Sequence, residues 1–317
     1  MTMRVATFAN SDQMISSALR TQATMADMQV QEASGLKTEY LAGYGADTQH
    51  VVNLQVSVTR AQSYIDAATL ADSKVQVMYS AVGQVSDIVS QLRSALSAAS
   101  SGSSTGTTSA ISSAQQLLQQ MAGILNTQYD GQYLFGGART STAAVDTSTF
   151  ASGAGSLATP DTSYYKGDDE LASARVSGGA AVTYGVTADN SAFEEVMRVL
   201  KFVANSSTLS STDISSALTL ADQAVDDVAT VQAKLSDAAS RIESAKSEQT
   251  DFKSYAESLA TDLTSVDVAA VTAQLSTYQA QLTASYTAIS KIQSLNLASY
   301  LRRSGEVMAI PDCPLLD

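Results

Sequence analysis

The sequence predicts a mainly α fold: a long antiparallel helical rod of coiled-coil character, with its N- and C-terminal helices paired and a small β-rich insert domain. Three observations lead there. Ala and Ser dominate the 317 residues, only 6% are aromatic and Trp is absent, an alphabet that suits long thin helices better than a thick core. Apolar residues recur at steps of three, four and seven over most of the chain, which puts them on one helical face. The exception is the stretch 138–190, rich in Gly, Thr and Ser, where the helical period stops.

Taken in order, Ile15, Leu19, Met25 and Met28 form a weak stripe between about residues 10 and 31. From Asp47 to Leu96 the positions Leu54, Val58, Ala61, Ile65, Ala68, Val75, Val82, Val85, Val89, Leu92 and Leu96 read as one amphipathic helix, roughly 75 Å long at about 1.5 Å per residue. The Gly/Ser run 97–109 reads as a break. Ile111, Ala114, Leu118, Met121 and Leu125 then give a shorter helix ending near Gln128. In the stretch QYDGQYLFGGART, Tyr133, Leu134 and Phe135 alternate as a short strand before Gly136-Gly137 lets the backbone turn.

The runs ARVSGG and AAVTYGV read as two strands flanking a Gly178-Gly179 turn. After Ser191, Phe193, Val196, Leu200 and Val203 make one helical face, with Glu194 and Glu195 in the first turn. A second long helix starts near Thr212, read as its N-cap, and carries Ile214, Leu218, Ala221, Val225, Val228, Leu235, Ile242, Phe252, Leu259 and Leu263. The C-terminal segment keeps the strictest period: Val268, Val271, Leu275, Tyr278, Leu282, Ile289 and Ile292 fall on heptad a/d positions, and Ser285 interrupts the seam.

A single thin helix cannot bury such a stripe alone. The terminal segments therefore need partners, either each other and neighbouring subunits or the core of an ordinary bundle. The organisation read from these elements is an N-terminal helix and loop over 1–46, an ascending rod over 47–137, an insert over 138–190, a descending rod over 191–264, a C-terminal helix over 265–301 and a disordered tail over 302–317.

The formal net charge of -13 argues against a nucleic-acid or anionic-membrane partner, since no basic stripe is available to displace counterions from phosphates. Cys313 is the only cysteine and His50 the only histidine, which removes a disulfide framework, a Cys/His metal site and most nucleophile–histidine arrangements. No catalytic residue, cofactor or metal is expected. Asp168, Asp169 and Glu170 form an acidic cluster without the alternating spacing of a calcium loop, so a solvated turn is the expectation. Asn205-Ser206-Ser207 matches a glycosylation triplet of a kind that arises often by chance. The first twenty residues contain no uninterrupted apolar run of signal-peptide type, and no segment approaches the ~18 apolar residues of a membrane span.

Several of these stretches together resemble the flagellin family, and within it the hook-associated branch more closely than the filament subunits. The resemblance runs from Arg4 to about Leu301 and rests on Ser34-Gly35-Leu36-Lys37 after the first helix, on Tyr133-Leu134-Phe135-Gly136-Gly137, on Tyr165-Lys166-Gly167-Asp168, and on the C-terminal helix TSVDVAAVTAQLSTYQAQLTASYTAISKIQSLNLASYL. Filament subunits follow the Ser-Gly pair with a run containing adjacent acidic residues, whereas TEYLAGYGADT has none. RRSGEVMAIPDCPLLD has no counterpart in the family pattern, and Pro311 and Pro314 forbid helix continuation there.

The resemblance implies a non-enzymatic structural subunit of the bacterial flagellum that joins the hook, through another hook-associated protein, to the flagellin filament. It implies copies of the chain in a ring, export by the flagellar type III route rather than a Sec signal, and an export chaperone on the C-terminal helix. The terminal helices would form the assembly interface, through Ile15, Leu19, Met25, Val268, Val271, Leu275, Tyr278, Leu282, Tyr286, Ile289 and Ile292. A filament flagellin is the near alternative. A secreted ligand-binding module or enzyme carried by the insert is the alternative of a different class.

Overall fold

The computed structural model describes residues 2–149 and 155–305, and at 2–11, 149 and 293–305 only the backbone is considered. The chain divides into two compact units, Met1–Gln55 with Glu257–Asp317, and Val56–Ala256. Helices dominate both: α1 (Thr2–Ser34), α2 (Thr48–Ala99), α3 (Ser104–Leu125), α4 (Ser191–Asn205), α5 (Ser211–Thr264) and α6 (Val268–Gly305). The mainly helical class read from the sequence is the one observed.

In the larger unit α2 and α5 run antiparallel, tied near one end by the Arg93–Asp222 ion pair (2.6 Å). Each contributes one stripe to a common core: Val75, Val82, Val85, Val89, Leu92 and Leu96 from α2, and Ala217, Ala221, Ala224, Val228, Leu235 and Ile242 from α5. Alanines at three of the α5 positions let the backbones approach closely, because interaxial distance follows the size of the contact side chains. The face of α5 does not continue as expected. Phe252 is 48% exposed, and the buried residue past Ile242 is Ala256.

The helix starts follow their caps rather than composition. α3 begins at Ser104, inside the Gly/Ser run read as a break, because the Ser103 hydroxyl accepts the Gly106 N–H and Ala110 and Ala114 pack inward. The break shrinks to residues 100–103. α5 is capped by Ser210, not Thr212: Ser210 Oγ accepts from Asp213 N (3.1 Å) while Asp213 Oδ2 accepts from Ser210 N (3.0 Å), a reciprocal capping box. α6 runs through Gly305, past the helix end expected at 301, and residues 306–317, including Cys313, lie outside the described residues.

The segment between α3 and α4 holds two small antiparallel hairpins. β1 (Gln128–Tyr129) pairs with β2 (Gln132–Tyr133), and β3 (Ser173–Arg175) pairs with β4 (Ala181–Thr183). The second matches the strands read around Gly178-Gly179. The first corrects the reading of Tyr133–Phe135 as a strand: β2 stops at Tyr133, and Leu134 and Phe135 are both buried, so nothing alternates. The signal was Asp130-Gly131, where both residues adopt positive φ (51° and 72°), as a two-residue hairpin turn requires.

Most of the insert is irregular, but its apolar residues do not form a core of their own. Leu134, Phe135, Val145, Tyr164, Val176 and Val186 join the same buried cluster as α2, α3, α4 and α5. Phe135 packs edge-on against Phe193 of α4, with ring centroids 6.0 Å apart and planes at 87°. Phe135→Ala should therefore cost about 3–5 kcal/mol, read as a lower denaturation midpoint. Leu171→Ala, at an exposed position of the same insert, should stay within about 0.5 kcal/mol of the parent.

Candidate assembly surface

In the smaller unit α1 packs against α6, and the end of α1 lies beside the start of α6, where Thr272 Oγ1 donates to Glu32 Oε1 (2.9 Å). On α6 the heptad residues Val271 and Leu275 are buried, and Tyr278, Leu282, Ile289 and Ile292 are half-buried. Val268 and Tyr286 are exposed. On α1 the inward positions are Met14, Ala18, Thr21, Met25, Met28 and Glu32, alternating steps of four and three.

Ile15 and Leu19, read with Met25 and Met28 as one stripe, stand on another face from those two. Leu19 is 59% exposed, and Ile15 and Val30 are exposed with it. Ala18 and Thr21 take the inward places because small side chains suit the close helix pair. α1 consequently carries two apolar faces, one turned to α6 and one turned to solvent.

The Ser34-Gly35-Leu36-Lys37 segment fastens this pair at its base. Gly35 ends α1 in the left-handed region (φ 70°), the usual C-terminal stop. Its carbonyl accepts from Val266 N (2.9 Å), Lys37 N donates to Thr264 O (2.8 Å), and Lys37 Nζ donates to Leu263 O (2.7 Å). Leu36 and Ser265 thus form an antiparallel bridge across the α5–α6 connection. Beyond it, a 3-10 helix over Leu41–Asp47 kinks at Gly45, with Tyr40 and Leu41 exposed.

The motif Tyr133–Gly137 serves a different purpose, in the larger unit. It is pressed against Tyr165-Lys166-Gly167-Asp168. Gly136 O accepts from Asp168 N (3.3 Å), and Asp168 Oδ1 accepts from Ala138 N (2.8 Å) and Glu170 N (3.1 Å). These backbone donors hold the Asp168 carboxyl below its usual range. A Cβ on Gly137, itself at φ 68°, would collide with the Asp168 backbone, and one on Gly167 would collide with Gly136 O. The acidic cluster is therefore a backbone clasp. Among the described residues no group of three or more His, Cys, Asp or Glu is arranged to hold a metal.

A buried polar network, which sequence reasoning missed, joins the insert to α4. Glu194 Oε1 accepts from Asp161 N (2.7 Å), Arg198 pairs with Glu194 Oε2 (3.1 Å) and donates to Leu157 O (2.7 Å), and Lys201 Nζ meets Asp161 Oδ2 at 2.5 Å. Glu194, Glu195 and Lys201 are buried. Only Glu194 lies in the first turn of α4. The spacing Glu194, Arg198, Lys201 was the available signal, since it lines the three charges along one helical face.

Two comparisons of sequence with protein families now bear on this geometry. The bacterial flagellin N-terminal helical region matches residues 5–140, and the bacterial flagellin C-terminal helical region matches residues 218–301. Together they cover more than half of the chain, and the chain belongs to the flagellin family. No curated protein matches the sequence.

Among solved structures, a putative flagellar hook-associated protein from Vibrio parahaemolyticus aligns over 69% of this chain and 97% of its own at 14% identity, with a TM-score of 0.58, and so shares the fold. FlgL from Bacillus cereus covers 67% of this chain and 98% of its own at 14% identity (TM-score 0.45). Flagellar hook associated protein-3 from Legionella pneumophila covers 68% and 97% at 14% identity (TM-score 0.44).

The two motif glycines should respond differently to a methyl group. Gly35 has open space around its Cβ position, so Gly35→Ala should cost only the left-handed backbone penalty, about 1 kcal/mol. Gly137→Ala adds a backbone collision and should cost about 3 kcal/mol; urea titrations of the two variants compare them directly.

The Asp161–Lys201 pair sets an acid limit. Lys201 beside it, with Ser163, holds Asp161 down to about 2 from 3.8, so the unfolded chain binds the proton more readily. Stability contributed by the pair is complete above about pH 4 and is lost as pH falls toward about 2. Asp161→Asn should flatten that acid limb and cost about 3 kcal/mol at neutral pH, because Lys201 is buried. Thermal melts of both proteins across the acid range measure it.

Proposed function

We propose that this flagellin-family chain is a structural subunit of the bacterial flagellum, an adaptor that joins the hook, through another hook-associated protein, to the flagellin filament, with no catalytic role. The observation that carries the reading is the solvent-facing apolar side of α1, with Ile15, Leu19 and Val30, together with Tyr286 of α6, which is 51% exposed. Apolar side chains on a helix already paired on its other face gain most by burial against another subunit. In this reading residues 1–46 and 265–301 form the terminal assembly domain, and its contacts are copies of the chain in a ring, flagellin on one side and a hook-associated protein on the other.

One further feature supports the junction role over a filament role: the loop after Ser34-Gly35 lacks the adjacent acidic pair of filament subunits. Export follows the flagellar type III route to the outside of the cell. Until assembly, a chaperone covers the C-terminal helix, whose seam is the kind of surface an amphipathic partner helix masks.

Because Ile15, Leu19 and Tyr286 are exposed in the monomer, the triple variant Ile15→Asp, Leu19→Asp, Tyr286→Asp should fold with a melting temperature close to the parent. It should nevertheless fail to join the flagellum, since an unpaired carboxylate buried in an assembled layer costs several kcal/mol. Leu275→Asp, at a buried position, should instead break the α1–α6 pair itself, seen as early proteolysis of both termini. Cells lacking the chain should build hooks, carry no attached filament and lose flagellin to the medium, as scored by electron microscopy. Normal attached filaments would overturn the junction role in favour of one flagellin among several.

A further inference from the structure

Glu195 of α4 is 7% exposed and faces α5. Its Oε1 accepts from Gln223 Nε2 (3.1 Å). Its Oε2 is buried with no donor in reach, and Asp227 follows Gln223 by one helical turn on α5, close enough for its charge to act on Glu195. An ionised carboxylate can only accept hydrogen bonds. A buried carboxylate with no donor for one oxygen and a second negative charge nearby is therefore favoured in its protonated form.

We propose that Glu195 keeps its proton in the folded chain and directs it toward Asp227, a pH-sensitive latch that holds α4, and with it the insert, against α5. In the closed state Glu195 Oε2–H donates to Asp227. Loss of the proton to solvent leaves a buried, unpartnered carboxylate beside a second negative charge, and this weakens the hold of α4 on α5. The insert follows α4 because Phe135, Asp161 and the Leu157 carbonyl are attached to Phe193, Lys201 and Arg198.

The surroundings favour the protonated form. Burial, then the Asp227 charge, push Glu195 up to about 7 from 4.5, and Arg198 opposes them. Glu194, on the same helix, adds negative charge and is itself engaged by Arg198 and Asp161 N. α3, which packs on α4, carries no charged residue. Arg93 of α2 is paired with Asp222, and Lys201 points to Asp161. Glu195 also lies beyond the first turn of α4, where the helix dipole would have favoured its ionised form.

The sign follows. Between 4.5 and about 7 the folded chain holds a proton that the unfolded chain has released, so stability falls as pH rises through that window. Thermal unfolding of the full chain from about pH 5 to about pH 8 should show a fall of several degrees. Glu195→Gln keeps the shape and a donor for Asp227, and should abolish that part of the slope. Asp227→Asn should move the slope to lower pH, because the like charge is gone.

The protection of α4 amides, their exchange rates divided by the intrinsic rate at each pH, should fall above neutrality in the parent and not in Glu195→Gln. A parent slope that survives Glu195→Gln unchanged, or a parent without any slope, would overturn the latch. Should Glu195→Gln fail to fold, the carboxyl carbon resonances of the parent decide: a glutamic acid still protonated near pH 6 supports the latch, and its absence ends it.

Discussion

Each long helix of this chain can bury only a narrow stripe, and that restriction governs everything else. A stripe of alanines and valines holds little apolar area per residue, so α2 and α5 reach a sufficient core only by running against each other and against α3 and α4. Alanines at Ala217, Ala221 and Ala224 give up side-chain area and gain close backbone approach. The bulkiest fully buried side chains, Tyr164, Phe135 and Phe193, are concentrated in α4 and the segment that leads to it from α3.

That concentration explains the motif Tyr133–Gly137. Aromatic bulk and glycines occur together because the chain must turn sharply around Phe135 while its backbone touches the Tyr165–Asp168 segment without any intervening side chain. Asp168 accepts two backbone N–H groups there. The acidic stretch expected as a solvated turn thus commits Asp168 to holding a loop closed.

The terminal unit obeys the same restriction with a different outcome. α1 and α6 satisfy one stripe each by pairing, yet α1 retains Ile15, Leu19 and Val30 on a second face. An isolated chain gains nothing from those residues in water. Their placement is intelligible as surface reserved for other subunits, and the junction role proposed for this flagellin-family chain uses it.

The sequence by itself determined the helical class, the long helices, the β3–β4 hairpin and the C-terminal heptad, because period and turn chemistry are local properties that each segment carries alone. It also singled out Ser34-Gly35 and Tyr133–Gly137, whose left-handed glycines no other residue replaces without strain. Only the tertiary structure decided that Met25 and Met28, with Ala18, turn toward α6 while Ile15 and Leu19 stay exposed, since one apolar stripe does not by itself say which of its residues a partner helix covers.

Tertiary context likewise turned the Gly/Ser run after Ser103 into helix and left Phe252 exposed. Of the buried network, only the Glu194, Arg198 and Lys201 spacing was legible in the sequence. Asp161 lies 33 residues from Glu194 and 40 from Lys201, and Glu195 meets α5 28 residues away, so only the packing of α4 against the insert and α5 brings such groups together.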